Sequence, residues 1–236
     1  MSGKAPSFRR YGAAPYRAVI LHGGPGAPGC AAGLCRVLAE WTGAVEHLQK
    51  AHCEQELCRE IAELIDEHCG GRAAVVGHSY GAWLALLFAQ RYPEKTEKAV
   101  LIGCGPLEEK YLPLLMKARQ ARRAEGLADT DNYSPLPGSG GDMLFFDEAQ
   151  HVALMNEISD MRRSGELLRR ARSVKCPVWA IHGDFDPHPA SGVSEPMAGK
   201  DNFSMTVLER CGHDPWKEKY ARSEFFSLLR EIIKER

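Results

Sequence analysis

The chain has 236 residues, of which 44% are hydrophobic and 26% charged, a composition typical of a folded soluble protein with one sizeable core. Its 30 lysines and arginines balance 31 aspartates and glutamates, so the net charge of -1 argues against binding to nucleic acid or to an anionic membrane. The eight cysteines contain no C-x-x-C pair, which favours reduced thiols over a disulfide scaffold.

Short apolar runs that alternate with helical patterns predict the order of the elements. The strands are predicted at 17–21, 73–76, 99–102, 177–181 and 205–208, and the helices that cover them at 54–69, 82–89 and 218–235. The strands are apolar at nearly every position, which is typical of a parallel sheet buried on both faces. We therefore predict the α/β class, with a doubly wound, mostly parallel sheet of about six strands.

More than 70 residues separate the strand at 99–102 from the strand at 177–181, far more than one crossover helix needs. We predict a core formed by 1–103 and 173–236, and a small helical lid formed by 104–172. Within this lid the composition predicts helices at 110–125 and 147–172 and a loop at 131–141.

Two patterns in the predicted lid bear on its role. Arg119, Arg122 and Arg123 form a basic cluster, which we expect on a solvated helix face because the whole chain is nearly neutral. The apolar run 143–146 is expected either to line an acyl pocket, to act as a hinge, or to pack within the lid.

Residues 77–81, Gly-His-Ser-Tyr-Gly, fit the pattern G-x-S-x-G, in which glycines permit a sharp turn between a strand and a helix. The match lies between the predicted strand 73–76 and the predicted helix 82–89, which is the context that this turn requires. Such a turn presents the hydroxyl of Ser79 above the end of the sheet, where it can act as a nucleophile. The alternative role of Ser79 is to cap the following helix.

Three further motifs accompany this turn: His22-Gly23-Gly24-Pro25-Gly26, Gly183-Asp184-Phe185-Asp186 and Gly212-His213. Together the four motifs resemble the α/β-hydrolase superfamily, and the first resembles its proline iminopeptidase branch. The resemblance implies a serine hydrolase whose oxyanion hole uses the backbone N–H groups of Gly24 and Tyr80. His78 and Tyr80 depart from the G-G-S-W-G turn usual in that branch.

Two aspartates compete for the role of the acid that orients the base. Asp184 and Asp186 both follow the predicted strand 177–181, at the edge where catalytic groups gather in such sheets. The family spacing G-x-x-D favours Asp186, and Asp184 would then brace the loop.

Nine histidines compete for the role of the base. His213 is favoured because it follows the last predicted strand and comes after both Ser79 and Asp186, and His188 is its rival. The histidines within the motif turns are expected to donate hydrogen bonds that hold loops together: His22, His78 and His182.

These residues predict acyl transfer, in which His213 takes the proton of Ser79, Asp186 orients the imidazole, and the Gly24 and Tyr80 amides stabilise the anion. The expected substrate is a small molecule with a carboxylic ester or amide bond. No cofactor or metal ion is expected, because no histidine–carboxylate pattern has metal-ligand spacing.

Two alternative functions stay open. An aminopeptidase of the proline iminopeptidase type would bind a free amino terminus through lid carboxylates, for which the candidates are Glu148, Glu157, Asp160 and Glu166. A protein that binds its ligand without cleaving it is the other alternative. We expect a cytoplasmic protein without a membrane partner, because no apolar run could cross a bilayer and the first residues lack a secretory pattern.

Overall fold

A seven-stranded sheet forms the centre of the protein in the computed structural model, which describes residues 6–126, 131–137 and 142–235. Its strands are β1 (Phe8–Tyr11), β2 (Tyr16–Leu21), β3 (Gly43–His47), β4 (Ala73–His78), β5 (Thr96–Ile102), β6 (Val178–Gly183) and β7 (Phe203–Leu208). They lie in the order β1-β3-β2-β4-β5-β6-β7; β1 is antiparallel to β3, and the other neighbours are parallel. The prediction of a mostly parallel α/β sheet is confirmed.

The sheet has seven strands instead of about six, because β1 and β3 lack the apolar run by which strands were predicted. β3 is buried throughout, yet it carries Glu46 and His47. Each has a polar partner that makes burial tolerable: Glu46 accepts a hydrogen bond from Tyr11 Oη at 2.8 Å, and His47 Nε2 contacts Glu60 at 2.7 Å. β1 is a short edge strand that is partly exposed.

Helices cover both faces of the sheet, as the apolar strands require. α2 (Glu54–His68) and α3 (Tyr80–Arg91) pack on one face, and α1 (Ala32–Leu38) and α8 (Arg222–Lys234) pack on the other. Ten of the twelve residues of α3 are buried, so the start of this helix is held firmly against the sheet. None of the described helices is both long and apolar enough to cross a bilayer.

The segment between β5 and β6 forms α4 (Leu112–Ala124), α5 (Glu148–Arg163) and α6 (Glu166–Ser173). The single helix predicted at 147–172 is therefore two helices, because Gly165 interrupts the chain with a φ of 77°. α6 packs against α3 and extends the core on that face. The predicted loop is irregular over 131–137, and its residues 138–141 lie outside the described residues. α7 (Ser191–Met197) connects β6 to β7.

Candidate active site

The turn between β4 and α3 holds Ser79 in a strained backbone conformation, with φ 54° and ψ −116°. A residue with a side chain adopts such a conformation only where the surrounding structure enforces it. Here the enforcement is steric: a Cβ on Gly77 would lie 1.9 Å from the Gly81 oxygen, and one on Gly81 would lie 2.2 Å from the Leu21 oxygen. The two glycines of the motif are thus required for this turn between β4 and α3 to pack against the end of β2.

The loop after β2 lies directly against this turn. A Cβ on Gly23 would lie 2.9 Å from the Cβ of Ser79 and 2.7 Å from Nδ1 of His78, so a larger residue at 23 would collide with the serine turn. Gly24 follows with a φ of +50°, a conformation that favours glycine. Within the described residues, the backbone amides of Gly24 and Tyr80 donate no hydrogen bond to a carbonyl oxygen.

Asp186 and His213 come together at the ends of β6 and β7. His213 Nδ1 donates a hydrogen bond to Asp186 Oδ2 at 2.9 Å, and both residues are buried. Asp184 has a different role, because its carboxylate accepts the Cys211 backbone amide at 3.0 Å and braces the loop before His213. Of the two candidate acids, Asp186 is therefore the one in contact with the candidate base.

The imidazole ring of His213 lies beside the serine turn. The ring of His78, the residue before Ser79, lies 4.6 Å from the His213 ring, and His78 Nε2 donates to the His213 carbonyl oxygen at 3.0 Å. Among the described residues the Ser79 hydroxyl has no hydrogen bond, and Ser79 is only partly buried. Contacts between nucleophile and base are often long without substrate and tighten when substrate binds.

The electrostatics around Asp186 favour an ion pair with His213. Burial lowers the pKa of His213, but the Asp186 carboxylate outweighs burial and raises the pKa to about 9. For the Asp186 carboxyl the directions are reversed: burial raises its pKa, and the neighbouring imidazoles lower it. The imidazoles have the larger effect, so the pKa of Asp186 lies well below its usual range. Near pH 7 the pair is therefore a negatively charged carboxylate beside a protonated imidazole.

The other motif histidines have the structural roles expected of them. His22 Nδ1 donates to the Gly23 oxygen at 2.9 Å, and His182 Nε2 donates to the Cys104 oxygen at 3.0 Å. Burial lowers the pKa of both rings to about 4 and that of His78 to about 3, so all three are neutral near pH 7.

His188, the rival candidate for the base, contacts Asp186. Its Nδ1 and its backbone N–H both donate to Asp186 Oδ1, each at 2.9 Å. Within the described residues, one cluster of potential metal ligands has its ligand atoms close enough together to hold a metal ion. It consists of Asp186, His188 and His213, whose ligand atoms lie within 4.8 Å of one another. Both rings already donate from Nδ1 to the carboxylate, so the three groups fit a hydrogen-bonded assembly better than a set of metal ligands.

The expectation that Arg122 lies on a solvated helix face is wrong. Arg122 is buried, its guanidinium lies 4.1 Å from the centre of the Phe185 ring, and its Nη1 contacts Asp131 at 3.4 Å. The cation is tolerated because an aromatic face and a carboxylate replace its water. Arg119 and Arg123 are exposed, as expected. Arg122 thus attaches α4 to the loop that carries Asp186.

Part of the insertion is bonded to the loop that carries Gly24. The amides of Asp147 and Leu144 donate to the oxygens of Gly26 and Pro28 at 2.7 and 2.9 Å, and His151 Nδ1 donates to the Pro25 oxygen at 2.9 Å. Leu144 and Phe145 also line a cavity of about 350 Å³ beside Pro28, and both are nearly half exposed. Two residues of the apolar run 143–146 therefore lie at a cavity wall, and all four are about half exposed and do not form a core of the insertion.

A parallel sheet with a serine on a sharp strand-to-helix turn, and a carboxylate–imidazole pair at neighbouring strand ends, is the architecture of an α/β hydrolase. The model of the Alpha/beta hydrolase family matches residues 5–223, and the chain belongs to this family.

Individual proteins with similar sequences are only distantly related to this chain. A 2-hydroxy-6-oxononadienedioate/2-hydroxy-6-oxononatrienedioate hydrolase of Burkholderia vietnamiensis is 25% identical, covering 92% of this chain and 86% of its own. A probable alcohol acetyltransferase of Cyberlindnera jadinii is 29% identical over 119 residues, which are 44% of this chain and 34% of that protein. The chain thus spans about a third of that relative's length.

Solved structures are similar in fold over nearly the whole chain. VinJ superposes with a TM-score of 0.69 at 15% identity, covering 96% of this chain and 94% of its own. A monoacylglycerol lipase of Paleococcus ferrophilus superposes with a TM-score of 0.66 at 14% identity, covering 96% and 97%. At these identities the likeness extends to the fold alone.

Proposed function

We propose that the protein is a serine hydrolase that cleaves a small carboxylic ester or amide through an acyl-enzyme on Ser79. The observation that carries the proposal is the strained conformation of Ser79, because a non-glycine residue at φ 54° at the start of a buried helix costs free energy that a helix cap does not require. A nucleophile that must stand clear of the sheet does require it.

The proposed reaction uses each group in turn. His213 takes the proton of Ser79 as the serine oxygen bonds to the carbonyl carbon, and the carbonyl oxygen becomes an anion facing the Gly24 and Tyr80 amides. The tetrahedral intermediate then loses the alcohol or amine, which receives the proton from His213. Water attacks the acyl-enzyme in the same way, gives its proton to His213, and releases the acid while Ser79 recovers its proton.

Asp186 would keep the proton of His213 on Nδ1, so that Nε2 is the nitrogen that accepts the proton of Ser79. The amides of Gly24 and Tyr80 support the role of an oxyanion hole, since neither is used by a backbone carbonyl within the described residues. No step of this reaction needs a cofactor or a metal ion. The substrate is proposed to be a small molecule that enters between the core and the insertion, residues 104–172.

Contacts of the lid carboxylates favour an ester or simple amide over a peptide with a free amino terminus. Asp160 and Glu166 pair with arginines of their own helices at 2.8 and 2.7 Å. Glu157 accepts the backbone amide of Glu54 at 2.7 Å. Of the three, the contact of Glu157 with another helix is the one that weakens the aminopeptidase alternative, because exposed ion pairs such as those of Asp160 and Glu166 contribute little. The name of one relative agrees with this, since the Cyberlindnera jadinii protein that is similar over 119 residues is a probable alcohol acetyltransferase.

The proposal is tested by labelling and turnover of the wild type and of two serine variants. A fluorophosphonate is expected to label the wild type once, and Ser79→Ala is expected to lose both labelling and ester hydrolysis, by about a million-fold if the three residues act as a unit. Ser164→Ala is a matched control, because its hydroxyl is exposed and donates to the Met161 oxygen.

A panel of p-nitrophenyl acyl esters and aminoacyl p-nitroanilides separates the alternatives. Preference for anilides with a free amine would support the aminopeptidase. If the wild type cleaves neither class and Ser79 resists the fluorophosphonate, the proposal is wrong and a ligand-binding function replaces it.

A further inference from the structure

His188 holds one oxygen of the Asp186 carboxylate while His213 holds the other. Two donors from one residue, the ring Nδ1 and the backbone N–H of His188, reach Oδ1 at 2.9 Å. A single donor, Nδ1 of His213, reaches Oδ2 at the same distance. The carboxylate therefore cannot rotate about its Cβ–Cγ bond without breaking bonds to both histidines.

The rings of His188 and His213 also lie against each other. Their centres are 4.6 Å apart with 35° between the planes, and the His78 ring lies 4.6 Å from the His213 ring. His188 is buried and lies between Pro187 and Pro189, whose fixed backbone angles limit its movement. His213 is thus enclosed by two imidazoles and one carboxylate.

We propose that His188 is a positioning residue for the reaction, which binds Asp186 Oδ1 so that Oδ2 faces His213 and which shares the carboxylate charge with the base. The inference rests on the proposed function of Ser79, Asp186 and His213. The motif resemblance does not imply this role, because the sequence suggests His188 only as a rival of His213 for the role of the base.

The physical reason is competition for one negative charge. A carboxylate that accepts two hydrogen bonds from His188 attracts a proton on His213 less strongly than one that faces His213 alone. His188 must itself stay neutral for this effect, and burial lowers its pKa in spite of its bond to Asp186. A neutral ring that donates from Nδ1 moderates the basicity of His213 without adding a second positive charge beside it.

Other charged and titratable groups also face these three residues. From the neighbouring strands, loops and helix α4 they are His78, His182, Cys104, Cys211, Asp131, Asp214, Arg119 and Arg122. They are the same residues in every variant at 188, so the variants differ from the wild type in one side chain only.

Three variants separate the donor of His188 from its ring. His188→Phe keeps a flat ring against His213 and removes the ring donor Nδ1, while the backbone N–H at 188 still donates to Asp186 Oδ1. His188→Asn loses the ring and places an amide N–H near the position of Nδ1. His188→Leu replaces His188→Phe if the larger ring prevents folding, which circular dichroism reports. Each variant is compared with the wild type in its rate of fluorophosphonate labelling across pH and in the titration of His213 followed by NMR.

We expect His188→Phe to slow labelling by about tenfold to a hundredfold, the effect of losing the partner that orients a metal-binding histidine. We also expect its His213 titration and the acid limb of its labelling profile to move to higher pH. His188→Asn should restore both to within about threefold of the wild-type rate and to the wild-type profile. Wild-type rates and profiles in His188→Phe would overturn the inference, as would a slow His188→Asn with an unshifted profile.

The two proposals fail in different ways. If wild-type Ser79 is not labelled at all, the proposed hydrolase function fails. The role of His188 is then decided by the NMR titration, because a shifted His213 in His188→Phe supports the shared carboxylate and an unshifted one refutes it.

Discussion

Raising the pH from about 6.5 to about 9 is expected to destabilise the protein while it increases hydrolysis, because both depend on the proton of His213. Burial lowers the pKa of this imidazole and the Asp186 carboxylate raises it more, to about 9 from an ordinary 6.5. A pKa that folding raises means that the bound proton stabilises the folded state. This contribution is complete below pH 6.5 and is lost as the pH rises through about 9.

The size of the effect follows from the same pKa. The difference of 2.5 units between 9 and 6.5 corresponds to about 3 kcal/mol of unfolding free energy. Hydrolysis changes in the opposite direction, because only a neutral His213 can accept the proton of Ser79. At pH 7 about one molecule in a hundred has a neutral His213, so kcat/KM should rise about tenfold per pH unit and level off near pH 9.

Urea unfolding followed by tryptophan fluorescence, at intervals from pH 6 to pH 10, measures the stability. The matched variant is His213→Asn, whose side-chain amide can still donate to Asp186 but does not titrate. Subtracting the two curves removes other groups that change protonation in this range. Burial raises the pKa of thiols such as Cys104 and Cys211, so the folded protein keeps these protons while the unfolded chain loses them above about pH 8.5, and the subtraction removes this contribution too.

The difference curve should fall by about 3 kcal/mol between pH 6.5 and 9. A curve that is flat, or that rises with pH, would refute the inference that Asp186 raises the pKa of His213 in the folded protein. Hydrolysis of a p-nitrophenyl ester, read where absorbance does not depend on ionisation of the product, supplies the second profile. An activity profile with its acid limb below pH 6 would contradict the same reasoning.

Three other substitutions test the packing around the site. Gly81→Ala should cost about 4 kcal/mol or more of stability, because a Cβ there would lie 2.2 Å from the Leu21 carbonyl oxygen of β2. Gly199→Ala is the control and should cost about 1 kcal/mol, because Gly199 has a φ of +77° but no atom within 4 Å of the added Cβ. Glu54→Gln should cost about 3–5 kcal/mol, because it leaves Arg170 buried without the carboxylate that lies 2.9 Å away, and the double variant with Arg170→Met should cost less. Phe145 lines the cavity of about 350 Å³, and if this cavity receives the acyl group, Phe145→Ala should change the preferred acyl chain length.

Chemical denaturation measures the first two, and a series of esters with increasing acyl length measures the third. Equal losses at Gly81 and Gly199 would contradict the steric argument. A double variant that is less stable than Glu54→Gln would contradict the charge-burial argument. An unchanged chain-length preference would show that the cavity beside Pro28 does not receive the acyl group.

The sequence predicts the strands that are apolar and misses those that are not. Ala73–His78 is buried along its whole length, and its apolar run identifies it at once. Gly43–His47 is equally buried, but a side-chain partner from another element stabilises each of its polar residues. A strand whose burial depends on tertiary hydrogen bonds has no local pattern by which it could be recognised.

The candidate site shows the same division. Ser79 is marked by the glycines that its turn needs, and the spacing after β6 distinguishes Asp186 from Asp184. The contact of His188 with Asp186 and the burial of Arg122 over Phe185 depend on loops and helices that meet only in the folded chain. The sequence signal that could have suggested the first is the Asp-Pro-His spacing, which places a ring within reach of its own carboxylate neighbour.

The bonds between 142–151 and the loop after β2 limit how this protein can admit a substrate. If Asp147, Leu144 and His151 moved away from the core, they would have to release the carbonyl oxygens of Pro25, Gly26 and Pro28. The loop that carries Gly24 would then lose its outer support at the moment of entry. Residues 142–151 are therefore fixed to the loop after β2, and we expect a substrate to reach the site without displacing them.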